Sequence, residues 1–388
     1  MPTLYRSAAV VDFDRGRLEP DQSILVDRGR VVWIRPVDGE EDPGPDVDVV
    51  DASGTTALPG LVDCHSHLVL PGGAHWLERG EDPTSALRGY AEDNARLLHQ
   101  AGVRWARDVG APEREGRAVS LDVRDAWRGR PGYPHVRAAG CWLAREGAIP
   151  GDTAVTVRDG EDLARAIHRQ LDNGADLVKV YLDGSDPSEA PFDEADVRDA
   201  VAAAHGRGAK LTAHSSHLPG ARVGAAAGVD ALEHGFQLDA DVAATMAANG
   251  VALVSTLAVL ESWRSFSTTT RLDRFASPQG RAAIAARREW AQESVRLAHR
   301  AGVTIATGTD FGGGSLRANQ LAWEVCSLVV AGLPPIDALT AATVNGGALL
   351  GEPEAGRLVE GGPADIVFVH GDPLTDPGAL WRVWRTTW

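Results

Sequence analysis

The sequence predicts an α/β fold, a (β/α)8 TIM barrel carrying a small discontinuous β-sandwich made from both chain ends. Three observations predict it. Eight short apolar runs alternate with helix-forming stretches through the middle of the chain, the pattern of a parallel sheet wrapped by helices. Several of those stretches close on Ala-Gly before the next run, at Ala101-Gly102, Ala227-Gly228 and Ala301-Gly302, where glycine supplies the left-handed helix stop. The two ends read differently, as short strands broken by Arg-Gly and Gly-Gly-Pro turns.

In chain order, residues 4–12, 22–27 and 31–35 are expected strands, with a Pro/Gly loop at 42–46. The barrel strands are expected near 58–63, 103–108, 135–139, 176–181, 209–213, 229–233, 251–256 and 303–308. Helices are expected over 85–100, 161–173, 194–207, 239–249 and 281–301, the last rich in strong helix formers. Strands at 357–359 and 364–369, turning at Gly361-Gly362-Pro363, pair with the opening ones. The expected domains are therefore 1–57 with 352–388, and a barrel over 58–351. A doubly wound open sheet is the alternative, but it gathers its ligands at one crevice and does not need five strands.

Composition narrows the class. The chain has 388 residues, 44% of them apolar, enough for a large core and two domains. Its formal net charge is −16 and no Lys/Arg stripe is visible, so nucleic acid is not an expected partner. No apolar stretch is long enough to span a bilayer, and Met1-Pro2-Thr3-Leu4-Tyr5-Arg6 has no secretory pattern. Cys64, Cys141 and Cys326 lack paired-ligand spacing and read as reduced thiols of a cytoplasmic protein. The expected partner is a small-molecule substrate, with no membrane; a homo-oligomer stays open.

The most informative segment is Pro59-Gly60-Leu61-Val62-Asp63-Cys64-His65-Ser66-His67. Side chains i and i+2 of a strand share a face, so His65 and His67 can offer two neutral nitrogens to one metal ion. Cys64, between them, faces away. Downstream, Lys179 lies inside a β-branched apolar run, while His214, His234 and Asp310 each close a short strand. Singly, each has a plain structural reading: a strand-end lysine reaching water, packed core histidines, a helix-capping aspartate. Together they share one position, the C-terminal strand end, where a barrel of this kind keeps its catalytic groups. Tyr181, two residues past Lys179, faces the same interior, either as an oxyanion donor or as a packed barrel tyrosine.

These segments stand in a fixed order: Leu58-Pro59-Gly60 through His67, Leu177-Val178-Lys179-Val180, Ala213-His214, and Val229-Asp230-Ala231-Leu232-Glu233-His234-Gly235. They continue with Thr307-Gly308-Thr309-Asp310, Ala341-Ala342-Thr343-Val344-Asn345 and Gly361-Gly362-Pro363-Ala364-Asp365-Ile366-Val367. The chain so read resembles the amidohydrolase superfamily, in its imidazolonepropionase-like and prolidase-like branch. The resemblance implies two divalent metal ions, zinc by expectation. His65, His67 and Asp310 would hold the more buried one, and His214 and His234 the other. Lys179 would bridge them as a carbamate derived from carbon dioxide. It further implies hydrolysis of a C–N bond in an amide, lactam or cyclic imide, through a metal-bridging hydroxide with Asp310 as general acid and base.

Two departures from that pattern are visible. Prolidase-like relatives carry Gly-Gly-His-Gly after strand 3; here Ile149 falls at the histidine's place. They also often carry His-Ala-His-Gly at strand 5, where this chain has His214-Ser215-Ser216-His217. Both touch the substrate side, which points away from an Xaa-Pro dipeptide and toward a small cyclic or acylated amide with an anionic or aromatic group. Arg145, in the loop after strand 3, is placed to clamp a carboxylate. The stretch after strand 7, with Trp263, Arg264, Phe266, Arg271, Arg274 and Phe275, suits a lid, a solvated loop or a subunit contact. His217 either helps bind substrate or faces solvent. The alternative functions are a mononuclear metal-dependent deaminase, which would need a Glu beside His214 that the sequence lacks, and a non-catalytic binding or assembly relative.

Overall fold

A computed structural model describes residues 1–40, 44–148 and 151–388. The first part of the Pro/Gly loop expected at 42–46 lies outside the described residues. The opening strands β1 (Thr3–Asp12), β2 (Arg17–Asp27) and β3 (Arg30–Pro36) form an antiparallel meander. β4 (Asp48–Asp51) and β5 (Thr55–Pro59) both run parallel to β1, along successive parts of it. The end of the chain closes this sheet: β15 (Ile366–His370) pairs antiparallel with β5, and β16 (Val383–Thr386) pairs with β15. Tyr5, Ile24, Val31, Ala57, Ile366 and Phe368 form its separate core, so both ends are buried against each other. Two details differ from expectation. β5 runs to Pro59, beyond the expected boundary at 57, and the barrel begins only after Gly60. Residues 357–359 are not a strand; instead Gly361 N–H donates to the Val31 carbonyl and Val31 N–H to Gly362, so the Gly-Gly-Pro turn itself meets β3.

The barrel strands are β6 (Leu61–Ser66), β7 (Val103–Asp108), β8 (His135–Ala138), β9 (Trp142–Ala144), β10 (Leu177–Tyr181), β11 (Lys210–Ser215), β12 (Ala231–His234), β13 (Ala252–Ser255) and β14 (Ile305–Thr307). All pair in parallel, in two runs: β8-β7-β6, and β9-β10-β11-β12-β13-β14. The expected third strand is thus split between β8 and β9 around Gly140, whose φ of +81° bends the chain from one run to the other. Between β14 and β6 there is one parallel bridge, Ser66 with Phe311, beside an Asp310 N–H to His65 carbonyl bond. The buried Asp63 carboxylate ties the same seam, accepting from the Thr309 hydroxyl at 2.6 Å and from the backbone N–H of Thr309 and His65. The glycines at 102, 228 and 302 sit at φ of +71°, +76° and +77°, the left-handed stops that the Ala-Gly pairs predict.

Candidate metal centre and active-site cavity

Four imidazoles converge at the C-terminal ends of the barrel strands. The His67 and His65 ring centroids are 5.4 Å apart, His65 and His234 4.6 Å, and His234 and His214 4.5 Å. Clustering four such rings costs desolvation, and it lowers His65 and His234 well below the usual histidine pKa. Both are therefore neutral. His234 and Asp310 also hold positive φ, +70° and +57°, a strained backbone for residues with a Cβ and one that recurs at functional sites.

The ring partners fix which nitrogens remain free. The His67 Nδ1 lies 2.9 Å from the Gly110 carbonyl, which can only accept, so Nδ1 carries the proton. The His65 Nδ1 likewise donates to the Glu233 carboxylate at 2.7 Å. The Nε2 of each then faces Asp310, at 3.5 Å from His65 and 3.3 Å from His67. Acceptors point at one another there. Burial alone would lower His67, but the hydrogen bond and charge of Asp310 outweigh it and raise its pKa, so this pocket stabilises positive charge. The His214 Nε2 donates to Asp183 at 3.1 Å, which leaves its Nδ1 buried with no hydrogen-bond partner among the described residues. His234 Nδ1 is held by the Thr256 hydroxyl at 2.8 Å. One ligand atom each from His65, His234 and Asp310 lie within 4.8 Å of one another. A divalent cation satisfies these lone pairs, so the residues fit a metal ion.

Lys179 is fully buried in β10 and makes no ion pair among the described residues. Burial brings its pKa down to about 8, so a substantial share of the amine is neutral near physiological pH. Tyr181 stacks on His214, centroids 4.3 Å apart, and burial keeps its hydroxyl protonated by raising its pKa well above the usual value.

Beneath the imidazoles lies a network that sequence reasoning did not reach. Glu233, fully buried, accepts from Arg107 at 2.5 Å and from the Thr212 hydroxyl, besides His65. Arg107 is itself buried, and its Nε donates to the Cys64 carbonyl at 2.6 Å. Cys64 turns away as expected and packs with Val62, Val254 and Ala306. Asp183 could have been found: it lies two residues beyond Tyr181, on the same face of an extended chain.

Above them opens a cavity of about 270 Å³ lined by His65, His67, Tyr181, His214, His234 and Asp310. His217 and Trp263 line it as well; His217 does not simply face solvent. Much of the remaining wall comes from the segment after β13, including Val259, Phe275, Ile284 and Arg287. Arg145 does not reach this cavity. Its guanidinium donates to the Pro191 carbonyl at 3.1 Å and lies 5.6 Å from the Phe192 ring, because the loop after β9 packs against the segment that follows β10 instead. Ile149 lies outside the described residues.

The sequence pattern of the Amidohydrolase family matches residues 56–386. The chain belongs to the amidohydrolase family. Its similarities lie in the imidazolonepropionase-like and prolidase-like branch. The chain is 28% identical to an imidazolonepropionase of Streptomyces coelicolor, over 90% of this chain and 85% of that one. It is 27% identical to an ochratoxinase of Aspergillus niger, over 84% of this chain and 74% of that one. Among solved structures, a Xaa-Pro dipeptidase with methionine in its active site superposes with a TM-score of 0.84 at 25% identity, covering 99% of this chain and 97% of that one. Such structures share the (β/α)8 barrel. This amidohydrolase is a hydrolase acting on carbon–nitrogen bonds. No helix among its described residues is long and apolar enough to cross a membrane.

Proposed function

We propose that this amidohydrolase hydrolyses the amide, lactam or cyclic imide bond of a small molecule with two bound divalent metals, zinc being the expected pair. The observation that carries the reading is the set of lone pairs facing one another: His65 and His67 Nε2 around Asp310, and the unpartnered Nδ1 of His214. His65, His67 and Asp310 would hold one metal, His214 and His234 the other. Lys179 would join them after its neutral amine adds to carbon dioxide, forming an N–C bond and releasing a proton. When bound, the metals supply Lewis acidity and lower the pKa of a water molecule toward neutrality.

The chain's own groups do the rest. Asp310 takes the proton from the attacking water and returns it to the leaving nitrogen. The Tyr181 hydroxyl, kept protonated by burial, donates to the carbonyl oxygen as negative charge develops there. The Glu233–His65 bond and the Asp183–His214 bond hold two imidazoles in the tautomers that present their free nitrogens inward. The apolar walls, Trp263, Phe275 and Ile284 among them, favour an acylated or cyclic amide with an aromatic or branched group over a fully polar substrate. The three cysteines are unpaired, in keeping with a cytoplasmic enzyme.

The test is elemental analysis of protein prepared in bicarbonate buffer, followed by a panel of lactams, imides, N-acyl amines and Xaa-Pro dipeptides. Close to two metals per chain, with turnover of the non-dipeptide amides, is expected. A chain that binds no divalent metal, or that turns over Xaa-Pro dipeptides fastest, refutes the reading.

A further inference from the structure

The cavity contains a cation that the hydrolytic groups do not use. Arg287, on the helix Pro278–Arg300, lines the cavity half-buried, and no hydrogen bond or ion pair to it exists among the described residues. Its neighbour Arg288 shows the contrast, since it is paired with Glu261 at 2.6 Å. The acid whose charge acts on Arg287 is Asp183, but Asp183 is committed elsewhere. Its oxygens accept from the Ser216 N–H at 2.6 Å, from His214 at 3.1 Å and from the His217 N–H at 3.4 Å. Partial burial lowers the Arg287 pKa only against a very high reference, so the guanidinium stays charged.

A charged guanidinium held in a cavity without a partner is costly unless a ligand supplies the anion. Its surroundings narrow that ligand. Phe236, Phe275, Ile284 and Trp263 line the same space, and Arg274 adds a second cation at the rim, with one N–H donated to the Ala74 carbonyl. We infer that Arg287 is the carboxylate-recognising residue of this cavity. The substrate is accordingly an N-acyl compound that bears a carboxylate and an aromatic or branched apolar group. The assignment of substrate rests on the hydrolase reading above; the binding of a carboxylate at Arg287 does not.

The experiment separates the two. 3-Phenylpropanoate and its uncharged counterpart 3-phenylpropan-1-ol are titrated calorimetrically into the full chain, zinc-loaded and metal-stripped, as wild type, Arg287→Met and Arg287→Gln. The carboxylate is expected to bind wild type in both metal states. Both substitutions should weaken it about 30- to 100-fold, the scale of truncating one partner of a desolvated charge pair, while the alcohol is indifferent to them. No saturable binding of the carboxylate to wild type, binding unchanged in both variants, or binding that requires zinc and ignores Arg287, overturns the assignment. A kinetic arm compares N-acetyl-L-phenylalanine with N-acetyl-2-phenylethylamine, which lacks only the carboxylate. Wild type should prefer the acid, and Arg287→Met should lose that preference through KM with little change in kcat. Turnover of both with an unchanged preference in the variant also rejects Arg287. Turnover of neither, with carboxylate binding still dependent on Arg287, leaves the binding site standing and removes the proposed N-acyl substrate class.

Discussion

Replacing Glu233 with Gln tests the buried network from two sides at once. The carboxylate has three donors around it, Arg107 at 2.5 Å, His65 Nδ1 at 2.7 Å and the Thr212 hydroxyl, and it is fully buried. Glutamine keeps the shape but removes the charge and turns one acceptor into an NH2 donor. Arg107 then remains buried with no ion-pair partner among the described residues. Breaking a buried pair from one side typically costs about 3–5 kcal/mol, well beyond the roughly 1 kcal/mol of an ordinary hydrogen bond. His65 loses the anion that fixes its tautomer, which in metal sites typically weakens affinity about 10- to 100-fold. Urea unfolding of the metal-stripped protein reads the first effect, and zinc titration against a competing chelator reads the second. Adding Arg107→Met to Glu233→Gln should recover much of the stability, because no orphaned charge is left, and none of the metal affinity. A Glu233→Gln protein within about 1 kcal/mol of wild type, with unchanged zinc affinity, would refute the reasoning.

Three further outcomes are expected. Asp310→Asn should lose about 10²–10⁴ in kcat with its fold retained, since an amide cannot take the water's proton; wild-type turnover would reject Asp310 as acid and base. Lys179→Ala should reduce the metal content measured by elemental analysis, and a short carboxylic acid should restore part of the activity; two metals per chain in that variant would sink the bridging role. The buried Glu324 accepts from the Ser255 hydroxyl and the Ala258 N–H, each at 2.6 Å, and burial pushes its pKa up to about 7 from 4.5. The native state therefore holds a proton that the unfolded chain has released. Stability must fall as pH rises from about 4.5 to about 7, by on the order of 3 kcal/mol in total. Glu324→Gln should flatten that slope in urea midpoints compared at pH 5 and pH 8, and an unchanged slope would reject Glu324 as its source.

The convergence of His65, His67, His214, His234 and Asp310 was legible because each is a polar residue at the end of a short apolar strand, and barrel strands end at one face. Their protein partners were less so. Glu233 precedes His234 directly and so reads as pointing to the opposite face, yet it bonds the His65 ring from beneath while His234 lies beside that same ring. Arg107 reads as an ordinary strand-end cation until its burial is known. Arg287 and Arg288 are consecutive in one helix, so no local pattern separates the residue facing the cavity from its paired neighbour. The split of the third strand was hidden as well, because the bend at Gly140 breaks no hydrophobic period. The strand expected at 357–359 failed because the backbone partners of β3 are taken by the turn that follows it.

The cavity wall after β13 has a consequence for how this enzyme can change. Val259, Trp263, Phe275, Ile284 and Arg287 all come from one uninterrupted stretch between two neighbouring strands, whereas the imidazoles and Asp310 are gathered from distant parts of the chain. On the proposed reading, much of recognition falls to a cassette that can drift, lengthen or be exchanged while the reactive groups stay fixed to the sheet. Grafting residues 257–288 from another family member should reorder substrate preference and leave metal stoichiometry untouched. A graft that loses its metals instead would show that the cassette and the hydrolytic floor are a single inherited unit.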